Sequence, residues 1–185
     1  KVDPFFRKGA HDKLTFAMMY EYSERFTNPL SHDEVVHLKK SLVEKMPGDV
    51  WQRFANLRAL IGYSVTRPGK SLFFMGTELG SHHEWNHDLS LEWHLLGDAR
   101  RQGLMAFMEA LGALYRQHAC FWRLDHEPSG FGWIDVTDKE QSVLSYARYD
   151  GGAHAVVVLN LTPVPRDAYR LGAPSSGTYH VVLNS

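Results

Sequence analysis

The sequence predicts an α/β region followed by an all-β region, and three observations carry that division. After Asp49, the residues Val50, Phe54, Leu57, Ile61 and Val65 recur at helical spacing, with Trp51 and Leu60 widening the stripe. The turn pair Pro68-Gly69 then leads into "KSLFFM", a short unbroken apolar run of the kind that suits a parallel strand covered on both faces. Past residue 125 the character changes. "FGWIDV", "SVLSYARY" and "HAVVVLNL" are short β-rich runs divided by turn residues.

Taken in order, Leu14 to Tyr22 (LTFAMMYEY) are apolar almost all round, which predicts a helix buried on several sides. Phe26 to Leu30 read as a strand. Asp49 is the expected N-cap of the next helix and Pro68-Gly69 its stop. The strand in "KSLFFM" follows. A further helix is expected from about Asp98, with Leu104, Phe107, Met108, Leu111 and Tyr115 on one face. In the second half, Asp150-Gly151-Gly152 between two β-rich runs signals a hairpin, and "YHVVLNS" is expected to add a last strand. This half reads as a small antiparallel sheet or sandwich appended to βα-type architecture.

Composition narrows the function classes. The 185 residues suffice for one ordinary domain or two small ones. With 44% hydrophobic and 22% charged residues, the chain is of globular type. Lys+Arg (20) nearly balance Asp+Glu (21) without a basic run, so neither nucleic acid nor an anionic membrane surface is expected as a partner. A lone Cys120 cannot form an intrachain disulfide and fits a reducing, cytoplasmic setting. No stretch approaches the roughly 18 apolar residues of a membrane span.

Two histidine-rich stretches invite chemistry. "HEWNH", residues 83 to 87, matches H-E-x-x-H, in which two histidines on one helix face hold zinc and the glutamate is the general base. Trp85, Leu89, Trp93 and Leu96 keep helical spacing here. The extended pattern, however, wants glycine at 90 and histidine at 93, where Ser90 and Trp93 stand. Gly80-Ser81 before the motif favours a polar loop after a strand, and no metal is expected. In "PLSHDEVVH", residues 29 to 37, His32 and His37 are five apart, which is wrong for a shared helical zinc face. A strand ending just before His32 and Asp33 would expose them at its C-terminal edge, where barrel enzymes carry catalytic groups. The plainer reading is that Ser31 or Asp33 caps the next turn.

Longer wording is more specific. "PLSHDEVVH", "MPGDVWQRFANLRALIGY", "PGKSLFFMGTELG", "EWNHDLSLEWHLL", "GFGWIDV" and "NLTPVPRDAYRLG" occur in this order. Together they resemble the C-terminal portion of the bacterial 1,4-α-glucan (glycogen) branching enzymes of the α-amylase superfamily, from about Leu14 to Asn184. That resemblance implies the last two βα units of a (β/α)₈ TIM-type barrel in residues 1–125. It implies a C-terminal β-sandwich, incomplete if the chain stops early, in residues 126–185. The family reaction cuts an α-1,4 link, holds the glucan on an aspartate and transfers it to a 6-hydroxyl, giving an α-1,6 branch with retention.

Carried over residue by residue, the resemblance makes Asp33 the third catalytic acid, which stabilises the oxocarbenium-like transition state. His32 would hydrogen-bond sugar hydroxyls in the same subsite. Glu78, Trp85, Asn86 and Asp88 match motif positions in the loop after the eighth strand, where they would bind glucan (glycogen or amylose). No cofactor comes with the family. Its nucleophile and acid/base segments have no counterpart in these residues and are expected upstream of Lys1. A barrel needs roughly 250 residues, twice the span of residues 1–125, so the chain is expected to be a fragment and inactive alone. Alternatives are a debranching or trehalose-releasing hydrolase of the superfamily, or a non-catalytic glucan-binding module. Two departures from the family pattern stand out. Thr27 and Asn28 interrupt the strand before S-H-D, and Leu38 replaces a usual glycine, a change that backbone geometry would resist.

Overall fold

The computed structural model describes residues 2–185. Its first part is built on a parallel pair of strands, β1 (Thr27–Leu30) and β2 (Lys70–Phe73), in register from Thr27 opposite Lys70 to Leu30 opposite Phe73. The crossover between them is helix α1 (Val50–Thr66). Asp49 starts α1 with a capping box: its carboxylate accepts from the Gln52 amide at 2.9 Å, and the Gln52 side chain accepts from the Asp49 amide at 2.8 Å. Phe54, Leu57 and Ile61 on the predicted stripe are buried. They pack with Leu42, Val43 and Met46 and with Leu104, Phe107 and Leu111 of helix α2 (Ala99–Gln117) into one core. Each such side chain is worth about 1.5–3 kcal/mol of burial.

Asn28, which interrupts the apolar pattern of β1, has a structural purpose. Its amide donates to the Pro68 carbonyl at 2.8 Å, and Arg67 donates to its Oδ1 at 2.8 Å and to buried Glu21 at 3.0 Å. The chain reverses through Gly69 at φ 93°, where a Cβ would sit 2.4 Å from the Asn28 side chain. β2 is less covered than its sequence predicts, since Leu72 is 46% exposed.

The second part is an antiparallel sheet in the order β3 (Phe131–Asp135), β4 (Val143–Tyr149), β5 (His154–Asn160). The predicted hairpin at Asp150-Gly151-Gly152 joins β4 to β5, and Asp150 accepts from the amides of Gly152 and Ala153. β4 is buried along almost its whole length and fastens the sheet to the helical part. Arg148, fully buried, donates to the carbonyls of Thr66, Phe121 and Gly130 and pairs with Asp125 at 2.8 Å. Two residues away along the strand, the Tyr146 hydroxyl lies 2.5 Å from that of Thr66. Its burial pushes the Tyr146 phenol far above its usual range.

Two expected elements take other forms. The apolar stretch Leu14 to Tyr22 is a succession of tight 3-10 turns rather than a buried helix, with Phe16, Met19 and Tyr20 exposed. It is held by the Tyr63 hydroxyl on the Leu14 carbonyl and by Arg67 on buried Glu21, which leaves the face carrying Phe16 and Met19 open. The final "YHVVLNS" forms no strand. Val181 and Val182 are exposed, and only Leu183 returns to pack on the core. The preceding run through Pro174 and Gly177 supplies no ladder partner for β5. Among the described residues the β-region is therefore one three-stranded sheet. No helix of the described residues is long and apolar enough to cross a membrane.

Candidate functional site

Because β1 and β2 are parallel, their carboxyl ends lie on one edge and deliver two loops there. The first begins with a 3-10 turn, His32–Glu34. Ser31 occupies the cap position of this turn but makes no capping bond with its side chain, and its Oγ lies 3.5 Å from Asp33. His32 and Asp33 are both exposed, with Nε2 and Oδ1 3.4 Å apart. The turn is gripped by cations through its backbone: Lys39 donates to the Asp33 carbonyl at 2.8 Å, and Lys45 donates to the Glu34 carbonyl.

The second loop follows β2. Glu78 sits half-buried on the 3-10 turn Thr77–Leu79. Farther on, the Trp85 amide donates to the Val35 carbonyl of the first loop at 2.9 Å. Its indole stands edge-on to Phe74 at 5.1 Å, and the His32 ring lies 5.8 Å from the same Phe74 ring, centroid to centroid. His32, Trp85 and Asn86 thus line one recess of about 360 Å³, together with Val36, Glu84 and His87. Asp33 stands beside His32 without lining the recess. Asn86 accepts from the Asp88 amide at 2.9 Å, and Asp88 pairs with His87 at 3.3 Å. Glu78 and Asp88 lie outside the recess.

"HEWNH" is a loop in the structure, not a helix. The helical spacing of Trp85, Leu89, Trp93 and Leu96 is not realised as one. His83 faces Glu92 at 2.7 Å while His87 faces Asp88, so the two histidines share no metal-binding face. Among the described residues no three metal-ligating side chains come together.

The residue that sequence reasoning passed over is Glu84. Its two carboxylate oxygens accept from the amides of Leu38 at 3.0 Å and Lys40 at 2.6 Å. Those residues are left-handed, at φ 64° and 67°, as is His37 at 56°. The one available signal was the position of Leu38, where the family pattern has glycine. Leu38 does adopt the backbone that glycine favours, with its side chain 96% exposed.

Comparison with known proteins now adds to this geometry. Residues 133–185 match the model of the alpha amylase C-terminal all-beta domain. Over 185 residues the chain is 52% identical to the 1,4-alpha-glucan branching enzyme GlgB of Paramagnetospirillum magneticum. The chain matches branching-enzyme sequence along 99% of its length. It spans about a quarter of that relative, 25% of its residues. The branching-enzyme resemblance carried by the motifs is thereby borne out, as is the all-β character of the C-terminal region.

Proposed function

We propose that the chain supplies part of the glucan site of a branching enzyme, which cleaves α-1,4-glucan and transfers the chain to a 6-hydroxyl to make α-1,6 branches of glycogen. Residues 1–125 would be the C-terminal part of a (β/α)₈ barrel and residues 126–185 the β-sandwich domain, working in the cytoplasm. The observation that supports this best is the shared edge of β1 and β2, where His32, Asp33, Trp85 and Asn86 gather. Loops at the carboxyl ends of parallel strands are where barrel enzymes keep their chemistry.

In this reading Asp33, an exposed carboxylate, supplies a fixed negative charge opposite the positive charge that develops on the sugar ring. His32 beside it offers a ring nitrogen to sugar hydroxyls, and Asn86 its amide. Trp85 offers an indole edge to the recess, while Glu78 and Asp88 act from the flanks of the same loop. Retention requires a nucleophile and an acid/base about 5–5.5 Å apart. The motifs that carry them in the family are absent from these residues, so the isolated chain binds glucan weakly and does not branch it. The test is incubation of amylose with this polypeptide, followed by counting of α-1,6 links. New branch points would overturn the proposed inactivity. Maltoheptaose titration monitored at His32 and Trp85, with Asp33→Asn as control, tests the site. Wild-type signals that do not move would remove the glucan assignment.

A further inference from the structure

We infer that Glu84 is a positioning residue for Asp33, acting through Lys39 across the two loops; the functional weight of this rests on the glucan role proposed for Asp33. Asp33 itself is poorly held by its side chain. Among the described residues its carboxylate has only Ser31 at 3.5 Å and His32 at 3.4 Å near it, so the backbone decides where it points. That backbone is gripped at the Asp33 carbonyl by Lys39 Nζ, 2.8 Å away. Lys39 in turn lies between Leu38 and Lys40, both in a left-handed conformation that L-residues resist. A run of this kind persists only where its surroundings over-determine it.

Glu84 provides that constraint. One oxygen takes the Leu38 amide and the other the Lys40 amide, so a single carboxylate brackets Lys39 from both sides. Hydrogen bonds to an ionised acceptor are the strong ones. The neighbouring Trp85 amide adds a third tie to the same loop, at the Val35 carbonyl two residues after Asp33. The loop after β2 therefore sets the path of the loop after β1. Lys45 holds the next carbonyl, that of Glu34, while Lys39, bracketed by Glu84, reaches that of Asp33.

The experiment uses the full 185-residue chain and its NMR signals. In Glu84→Gln, exchange of the Leu38 and Lys40 amides should quicken at least tenfold and the Asp33 carbonyl signal should shift, while the amides of α1 keep their protection. Glu84→Asp should recover part of the shift. Lys39→Met should displace the Asp33 carbonyl signal, and adding Glu84→Gln to it should displace the signal no further. An unmoved Asp33 signal in Glu84→Gln, or additive displacements in the double variant, would overturn the inference. A wild-type chain that ignores maltoheptaose while the Asp33 signal still follows Glu84 would support the coupling and sink only the glucan role.

Discussion

Leu38 offers the cleanest quantitative test of the site's backbone. Its side chain is 96% exposed and its φ is 64°, so replacement by glycine removes a steric penalty and almost no packing. Holding an L-residue in this region costs about 1–2 kcal/mol. Glycine's extra freedom in the unfolded chain offsets about 0.4–1 kcal/mol of that gain. Leu38→Gly should therefore stabilise the chain by about 0.5–1 kcal/mol, a rise in Tm of roughly 1–4 °C at this size. Leu38→Ala keeps the Cβ and so the penalty, and should stay within about 0.5 kcal/mol of wild type. Urea unfolding of the three proteins, with a common m value, decides. A glycine variant no more stable than wild type would refute the strain argument. An alanine variant weaker by more than about 1 kcal/mol would show that the leucine packs after all.

Arg148→Met should cost up to about 3–5 kcal/mol in urea unfolding, because it leaves the buried Asp125 carboxylate with Lys70, at 2.9 Å, but without its buried guanidinium. Adding Asp125→Asn should recover part of that loss, a non-additivity expected only if the two act as a pair. The hairpin has a signature in acid. The amides of Ala153 and Gly152 hold the Asp150 carboxyl below its usual range. A depressed folded pKa contributes stability above the ordinary aspartate value near 4 and loses it as pH falls through the lower folded value. Asp150→Asn should accordingly flatten the loss of stability between neutral and acid pH, measured as urea midpoints. An unchanged acid limb would exclude the contribution.

What was legible in the sequence follows the strength of the local signal. α1 could be bounded because Asp49, its stripe and Pro68-Gly69 all point the same way, and the structure places it at Val50–Thr66. The β4–β5 hairpin was readable from Asp150-Gly151-Gly152. Leu14 to Tyr22 misled because hydrophobicity all round says a segment wants cover, not that cover exists. The residues of "YHVVLNS" have strand propensity, but a strand also needs a partner, and pairing is a tertiary fact. At the site, the gathering of His32 with Trp85 and Asn86 depends on two parallel strands lying side by side, which no local pattern encodes. Glu84 was passed over because its partners, the Leu38 and Lys40 amides, lie more than forty residues away on another loop, and a local match such as H-E-x-x-H carries no trace of them.

The attachment of the sheet to the helices has a consequence for how this protein can change over time. Arg148 reads the helical part through the main-chain oxygens of Thr66 and Phe121, and the turn before β3 through that of Gly130. A carbonyl is offered by every amino acid, so substitution at Thr66 or Phe121 leaves the contact available as long as the local path is kept. Gly130 is the exception, since any Cβ there would lie 2.1 Å from the Leu124 carbonyl. The Arg148 contacts therefore recognise the course of the backbone, whereas the Tyr146–Thr66 hydroxyl pair beside them reads a side chain. Other side chains on the helical face are free to drift while the joint stays fixed by one arginine, its aspartate, one glycine and the Thr66 hydroxyl.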